Sequence, residues 1–224
     1  MTDGRVRIGS AIFNADHGHL ADAVVELDRA GIDFIHWDVF DGHFIPDLGF
    51  PPRTLQAVRP LTRVPFEVHL AVTDLRALIQ PLAKAGANLV FVPVESTPLL
   101  FEGVTLVREE GMKAGVSLAV GTPVSAIVEV LPHVDAVLLL SRVYGETVSK
   151  VRFMPQTLRK VEALREMSSR EGLTLDIQVV GGLSIESAQV VVKGGVTSVG
   201  FGGELHKAPD LSEKLREIRA ALEG

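Results

Sequence analysis

Cysteine is absent from this chain of 224 residues, and so is any apolar run long enough to cross a bilayer. The first absence excludes disulfides, thiolate nucleophiles and cysteine-ligated metals, and it suits a reducing compartment. The first nine residues are polar and lack the apolar core of a signal peptide. We therefore expect a cytoplasmic protein without a membrane partner.

Positively charged residues are outnumbered by negatively charged ones. The chain has 22 Lys and Arg against 28 Asp and Glu, which gives a net charge of −6. This balance argues against nucleic acid or an anionic membrane as a partner. A hydrophobic content of 46% is ample for a sizeable core. We find no linker, low-complexity stretch or charge run, so we predict a single domain over residues 1–224. This length is typical of one α/β barrel, which commonly has about 200–250 residues.

Strand-like and helix-like segments alternate along the chain in eight β-then-α units. A C-cap glycine, a short turn and an apolar strand recur at 30–33, 85–88 and 194–197. Apolar strands of this kind indicate a parallel sheet buried on both faces, and eight units predict a (β/α)8 TIM barrel. The competing architecture is an open doubly wound sheet, but no Gly-x-Gly-x-x-Gly follows the first strand. Strands are expected at 6–13, 34–38, 65–70, 89–94, 114–120, 136–140, 175–180 and 198–201, and one expected helix runs from Thr122 to Leu131.

Two neighbouring strands carry the candidate metal ligands. Side chains alternate faces along a strand, so His36 and Asp38 share one face, as do Glu67 and His69 on the next strand. Two imidazoles and a carboxylate supply most of a divalent-metal site. A single His-x-Asp favours a buried core histidine, whereas two such strands in succession favour the metal.

Two glycine pairs follow the seventh and eighth strands. Gly181 and Gly182 precede Ser184, a candidate helix N-cap, and Gly202 and Gly203 follow the last strand. Glycine lets backbone N–H groups approach an anion, and a helix N-terminus favours negative charge. A lone pair would only turn the chain, but two pairs at this end of a barrel favour phosphate binding.

With these motifs the sequence resembles the ribulose-phosphate 3-epimerases, from Ile8 to about Gly203. That family has a (β/α)8 barrel and acts in carbohydrate metabolism, on pentose phosphates. It inverts the carbon beside the ketone of a ketopentose 5-phosphate through a metal-bound enediolate. The resemblance rests on 12–16, on His-Trp-Asp-Val-Phe-Asp-Gly-His-Phe-Ile-Pro at 36–46, on 68–70 and on the two glycine pairs.

The resemblance implies roles for individual residues. His36, Asp38 and His69 would hold a divalent metal (zinc, iron, manganese or cobalt), and Asp38 would also be one of two acid/base carboxylates. The partner would be a small-molecule sugar phosphate. Its phosphate would be held by four glycines, Gly181, Gly182, Gly202 and Gly203. Inversion needs a second carboxylate, which returns a proton to the opposite face of the enediolate.

The chain departs from the family where that second carboxylate belongs. Val180 stands in the place of the aspartate before the first glycine pair, and Ala11 replaces a substrate-contacting serine. Three methionines over the metal correspond to Phe40, Ala71 and Leu140. A glycine-rich lid is replaced by residues 142–150, where Arg142 and Lys150 are candidate phosphate contacts.

Three functions therefore stay open. The chain is an epimerase with a replacement acid, for which Glu146 and Glu67 are candidates, or a one-base isomerase, or a non-catalytic paralogue that binds a metal or a sugar phosphate. Glu67 also has a simpler interpretation, as a polar residue of the barrel interior. The oligomeric state stays open as well, a homo-oligomer included. Four histidines are expected on the surface or in loops, His17, His19, His133 and His206.

Overall fold

Eight parallel strands close into one barrel, and each strand pairs with the next in the chain until β8 returns to β1. The computed structural model describes residues 5–144 and 152–223. Closure through the β1–β8 pairing excludes the open doubly wound sheet and confirms the predicted (β/α)8 barrel. The strands are Arg7–Ala11 (β1), Phe34–Phe40 (β2), Phe66–Ala71 (β3), Leu89–Pro93 (β4), Lys113–Leu118 (β5), Ala136–Leu140 (β6), Asp176–Val180 (β7) and Ser198–Phe201 (β8).

Helices surround the barrel, and glycines end several of them as the sequence predicts. Gly31 and Gly86 take left-handed φ values of 82° and 91°, which a residue with a Cβ adopts at a cost. In the described part of the chain, none of the helices is both long and apolar enough to span a membrane. The helices are Leu20–Ala30 (α1), Pro52–Val58 (α2), Arg76–Ala85 (α3), Leu100–Glu109 (α4), Thr157–Glu171 (α5), Ile185–Lys193 (α6), Gly203–His206 (α7) and Leu211–Glu223 (α8).

The helix expected from Thr122 to Leu131 is wrong. This segment instead forms two short 3-10 helices, Val124–Ile127 and Leu131–His133. Its backbone bonds span three residues, as from Ala126 N to Pro123 O at 3.1 Å. Several β-branched residues lower the α-helix propensity here, and Pro132 lacks the N–H that a continuing helix needs.

The core has two parts, one between the barrel and its helices and one inside the barrel. The outer part is the larger and contains fully buried aromatic side chains such as Trp37 and Phe66. Burial of each such side chain contributes about 1.5–3 kcal/mol. The inner part is a small apolar cluster made of Ala11, Leu89, Phe91, Ala136, Leu138, Leu140 and Val180.

Charged residues fill the barrel interior at the N-terminal ends of the strands. Arg7 forms ion pairs with Glu67 and with Asp176, the latter at 2.7 Å. Gln178 Nε2 donates to Glu67 Oε2 at 2.7 Å. Burial raises the pKa of Glu67, and the charge of Arg7 opposes this shift. Glu67 is therefore a structural residue of the barrel interior, one of the two interpretations that the sequence left open.

Candidate active site

His36, Asp38 and His69 converge at the C-terminal end of β2 and β3, as the strand alternation predicts. The strand register places Asp38 beside His69. Asp38 Oδ1 lies 3.2 Å from His36 Nε2 and 3.4 Å from His69 Nδ1. One ligand atom from each residue lies within 4.8 Å of the other two, and all three residues are buried. The group could therefore hold a metal ion.

The electrostatics of this group suit a cation. Burial disfavours the ionised form of Asp38, but His36 and then His69 outweigh it and hold the pKa of Asp38 well below its usual range. Burial lowers the pKa of His69, and Asp38 only partly opposes this shift. At neutral pH the site therefore presents a carboxylate and a neutral imidazole, which are the protonation states that metal ligation requires.

The loop after β2 fixes the position of Asp38. Asp41 accepts hydrogen bonds from the backbone N–H groups of His43, Phe44 and Thr73 at 2.7–2.9 Å. The N–H of Phe50 in turn donates to the carbonyl of Asp38 at 2.9 Å. These hydrogen bonds connect the loop to the ends of β2 and β3, which carry the candidate ligands. His43 bonds within its own turn, through Nδ1 and the Asp41 carbonyl at 2.9 Å.

The donor set fits a divalent metal. Two imidazole nitrogens and one carboxylate oxygen are ligands for zinc, iron, manganese and cobalt alike, and a three-residue set leaves positions open for substrate. His36 Nδ1 is buried and has no hydrogen-bond partner among the described residues. By contrast, His69 Nε2 lies 3.2 Å from the hydroxyl of Tyr144.

The glycine pairs lie beside two helix starts on the same side of the barrel. Gly181 and Gly182 take φ values of 114° and 66°, in the region that favours glycine. Ser184 caps α6 and forms a capping box with Ser187. Gly203 begins the short helix α7, which the sequence did not reveal. Leu183 and Leu205 pack in the outer core, so these bulky side chains do not fill the turns.

Arg142 lies against the first glycine turn. A Cβ added to Gly181 would come within 2.8 Å of Arg142 Cγ. The guanidinium-bearing side chain therefore borders the turn that the sequence assigns to phosphate. Glu146 and Lys150, the other candidates in this loop, lie outside the described residues.

Val180 faces the barrel interior at the C-terminal end of β7. It is 6% exposed and packs in the inner cluster with Ala11 and Leu140. Tyr144 packs against the same cluster from the loop after β6. At this position the side of the site opposite His36 and Asp38 therefore presents an apolar side chain.

Sequence reasoning missed Tyr144 and misplaced His206. The signal for Tyr144 was its position in the loop that replaces the glycine-rich lid, but loop composition alone does not say where a side chain points. His206 is half-buried in α7, and its Nε2 lies 2.7 Å from the buried Ser10 Oγ. The expectation of a surface position is therefore wrong for His206, whereas His17, His19 and His133 are exposed.

Solved structures with the same architecture support the fold. The chain aligns with KGPDC from Streptococcus mutans in complex with D-R5P at a TM-score of 0.74 and 13% identity, over 99% of this chain and 98% of that one. It aligns with orotidine 5'-phosphate decarboxylase from Pyrococcus horikoshii at 0.67 and 17% identity, over 97% and 99%. At these identities the likeness shows the barrel alone.

Sequence comparison identifies the family. The family model described as the ribulose-phosphate 3 epimerase family matches residues 7–206. The chain is 34% identical to the ribulose-phosphate 3-epimerase of Bacillus subtilis, over 96% of this chain and 99% of the relative. It is 34% identical to the enzyme of that name from Synechocystis, over 95% and 92%. The chain therefore belongs to the ribulose-phosphate 3-epimerase family.

Proposed function

We propose that this protein is a divalent-metal enzyme that moves a proton beside the ketone of a ketose phosphate through an enediolate. The observation that carries the proposal is the convergence of His36, Asp38 and His69 at the barrel mouth, with one ligand atom from each within 4.8 Å of the others. Family membership supports an epimerase or isomerase acting on a sugar phosphate.

Each residue of this group has a proposed role. His36, Asp38 and His69 hold the metal, and the metal supplies Lewis-acid stabilisation of negative charge on the substrate oxygens. Asp38 also removes the proton alpha to the ketone. Its depressed pKa keeps it ionised and ready as a base, and an adjacent cation makes the substrate proton acidic enough for a weak base to remove.

The phosphate of the substrate binds at the backbone of Gly181, Gly182, Gly202 and Gly203 in this proposal. The left-handed glycine turn beside the Ser184 cap of α6 supports it, since backbone N–H groups and a helix start favour an anion. Arg142 is the nearby cation that fits the same role. A small anionic sugar phosphate is the proposed partner, and the cytoplasm is the proposed compartment.

The second face of the enediolate lacks an obvious acid. Val180 is buried among apolar side chains, and Glu67 is bound to Arg7 and Gln178 in the barrel interior. We therefore infer an epimerase that recruits another acid, with a one-base reaction such as an aldose–ketose isomerisation as the alternative. Glu146 stays a candidate for a replacement acid, and a non-catalytic paralogue is the third alternative.

Metal analysis followed by solvent-deuterium exchange tests the proposal. Purified protein is assayed for bound zinc, iron, manganese and cobalt, and is then incubated in D2O with a panel of ketose phosphates. Exchange with inversion indicates an epimerase with a replacement acid, and exchange or isomerisation without inversion indicates a one-base enzyme. Failure of every sugar to exchange in the presence of each metal would overturn the catalytic proposal in favour of a binding protein.

A further inference from the structure

Tyr144, the sole tyrosine of the chain, crosses the barrel mouth from the loop after β6 to β3. Its hydroxyl lies 3.2 Å from His69 Nε2. The two rings are nearly parallel, at 13°, with centroids 6.1 Å apart. Phe44, in the loop after β2, holds the tyrosine ring from another side in an edge contact of 5.6 Å. The phenol is therefore held between His69 on β3 and Phe44 in the loop after β2.

The two nitrogens of His69 face different partners. Nδ1 faces Asp38 Oδ1 at 3.4 Å, and Nε2 faces Tyr144. A neutral imidazole has one N–H donor and one lone pair, so its two partners decide which nitrogen carries the proton. Asp38 accepts only, whereas a phenol is protonated at neutral pH and can donate or accept.

A hydroxyl at this position satisfies His69 in both tautomers. With the proton on Nδ1, His69 donates to Asp38 and Nε2 accepts from the Tyr144 hydroxyl. With the Nδ1 lone pair turned to a cation, the proton moves to Nε2 and is donated to the Tyr144 oxygen. Without the hydroxyl, the second tautomer leaves a buried N–H unpaired, which costs about 1–3 kcal/mol.

We propose that Tyr144 is a positioning residue that orients His69 and stabilises the tautomer in which Nδ1 is free to bind a divalent cation. The inference rests on the proposed metal site and adds a residue to it. Partners of this kind on a ligating histidine typically change metal affinity about 10–100-fold. His36 offers a contrast, because its buried Nδ1 has no such partner among the described residues.

The test compares Tyr144→Phe with the wild-type protein. Phenylalanine keeps the ring between His69 and Phe44 and removes only the hydroxyl. Val143→Ala is the matched control, since Val143 is the preceding residue of the same loop and is 48% exposed. Affinities for Zn²⁺ and Co²⁺ are measured by competition with a chromophoric chelator. Nitrogen-15 NMR of the histidine side chains is recorded with and without metal.

We expect Tyr144→Phe to lower the affinities for Zn²⁺ and Co²⁺ by about tenfold or more. Val143→Ala should leave both affinities within about twofold of the wild-type values. We also expect the wild-type His69 Nε2 signal to shift in metal-free Tyr144→Phe while the His36 signals stay in place. Wild-type affinity in Tyr144→Phe, or an unchanged His69 Nε2 signal, would overturn the inference and leave the metal site standing. A wild-type protein that binds neither metal would overturn the metal site, and with it the effect of Tyr144 on affinity.

Discussion

Val180 and Gly200 lie side by side on the neighbouring strands β7 and β8. A Cβ added to Gly200 would come within 2.6 Å of Val180 Cγ2, so valine occupies the space that a side chain at 200 would need. The missing side chain lets Val180 lie inside the barrel with Ala11 and Leu140. An aspartate at 180 is no larger than valine and would therefore fit the same space with its carboxylate at the barrel mouth.

Val180→Asp should consequently raise the 3-epimerisation of ribulose 5-phosphate. The wild-type protein has a base on one face and an apolar wall on the other, so we expect its epimerisation to be weak or absent. A positioned acid or base typically contributes about 10²–10⁴-fold, and the substitution should recover part of that factor. The measurement is steady-state epimerisation with added zinc, iron, manganese or cobalt.

Val180→Asn is the matched control, because asparagine has the shape of aspartate without its acidity. It should leave epimerisation at the wild-type level. A wild-type turnover on the order of 10 per second or more would contradict the prediction and would show that another group, such as Glu146, supplies the second proton.

Asp38→Asn should slow deuterium exchange and weaken metal binding together. The amide cannot act as a base, and it replaces a charged ligand with a neutral one in a buried site. We expect exchange to fall by about 10²-fold or more. Asp47→Asn makes the same chemical change in an exposed loop and should alter neither property. Normal exchange in Asp38→Asn would remove Asp38 from the mechanism.

The strand pattern predicted the barrel and the metal group because both depend on local periodicity. A strand of period two puts His36 and Asp38 on one face whatever the rest of the chain does. The parallel register then brings His69 beside Asp38, which no pattern gives directly but consecutive β-then-α units imply. Glycine C-caps mark helix ends for an equally local reason, the left-handed φ at Gly31 and Gly86.

Features that depend on tertiary contacts could not be predicted from the sequence pattern. Glu67 has the same spacing to His69 as His36 has to Asp38, yet its ion pair with Arg7, two strands away on β1, makes it structural. Tyr144 reaches His69 across the mouth, over 75 positions of sequence separation. The segment 122–131 has helical spacing, but β-branched residues and Pro132 favour 3-10 turns instead.

Glu67→Gln tests the structural role of Glu67. The substitution leaves Arg7 with Asp176 alone, and breaking a buried ion pair from one side typically costs about 3–5 kcal/mol, with less expected here because Arg7 keeps one partner. We expect the free energy of unfolding, measured with urea, to fall by about 2–3 kcal/mol. Zinc affinity and deuterium exchange should be unchanged. Loss of inversion with retained exchange in a folded Glu67→Gln protein would instead identify Glu67 as the second acid.

Gly203→Asp and Gly203→Ala together test the anion site. A Cβ at 203 would meet nothing closer than Lys207 Cε at 3.5 Å, so the Cβ that both substitutions add fits. The carboxylate would place a like charge beside a bound phosphate. We expect this to lower the affinity for inorganic phosphate by about tenfold or more. Alanine adds volume without charge and should change the affinity by less than about threefold. Equal affinities for phosphate in the two variants would exclude this turn as the anion site.

Acid should destabilise the fold through His206. Burial lowers the pKa of His206 to about 4 in the folded chain, against an ordinary value of 6.5. The unfolded chain therefore takes up a proton first as the pH falls, so the free energy of unfolding is unaffected by this group above pH 6.5 and decreases between pH 6.5 and 4. A difference of this size corresponds to at most about 3 kcal/mol at pH 4.

His206→Gln keeps a hydrogen-bonding partner for Ser10 and removes the titration, so urea unfolding of this variant at pH 7, 5.5 and 4 should show a smaller loss of stability than the wild-type protein. His133→Gln, which removes an exposed imidazole, should follow the wild-type profile. If His206→Gln and the wild-type protein lose stability in parallel as the pH falls, His206 is not the acid-sensitive group.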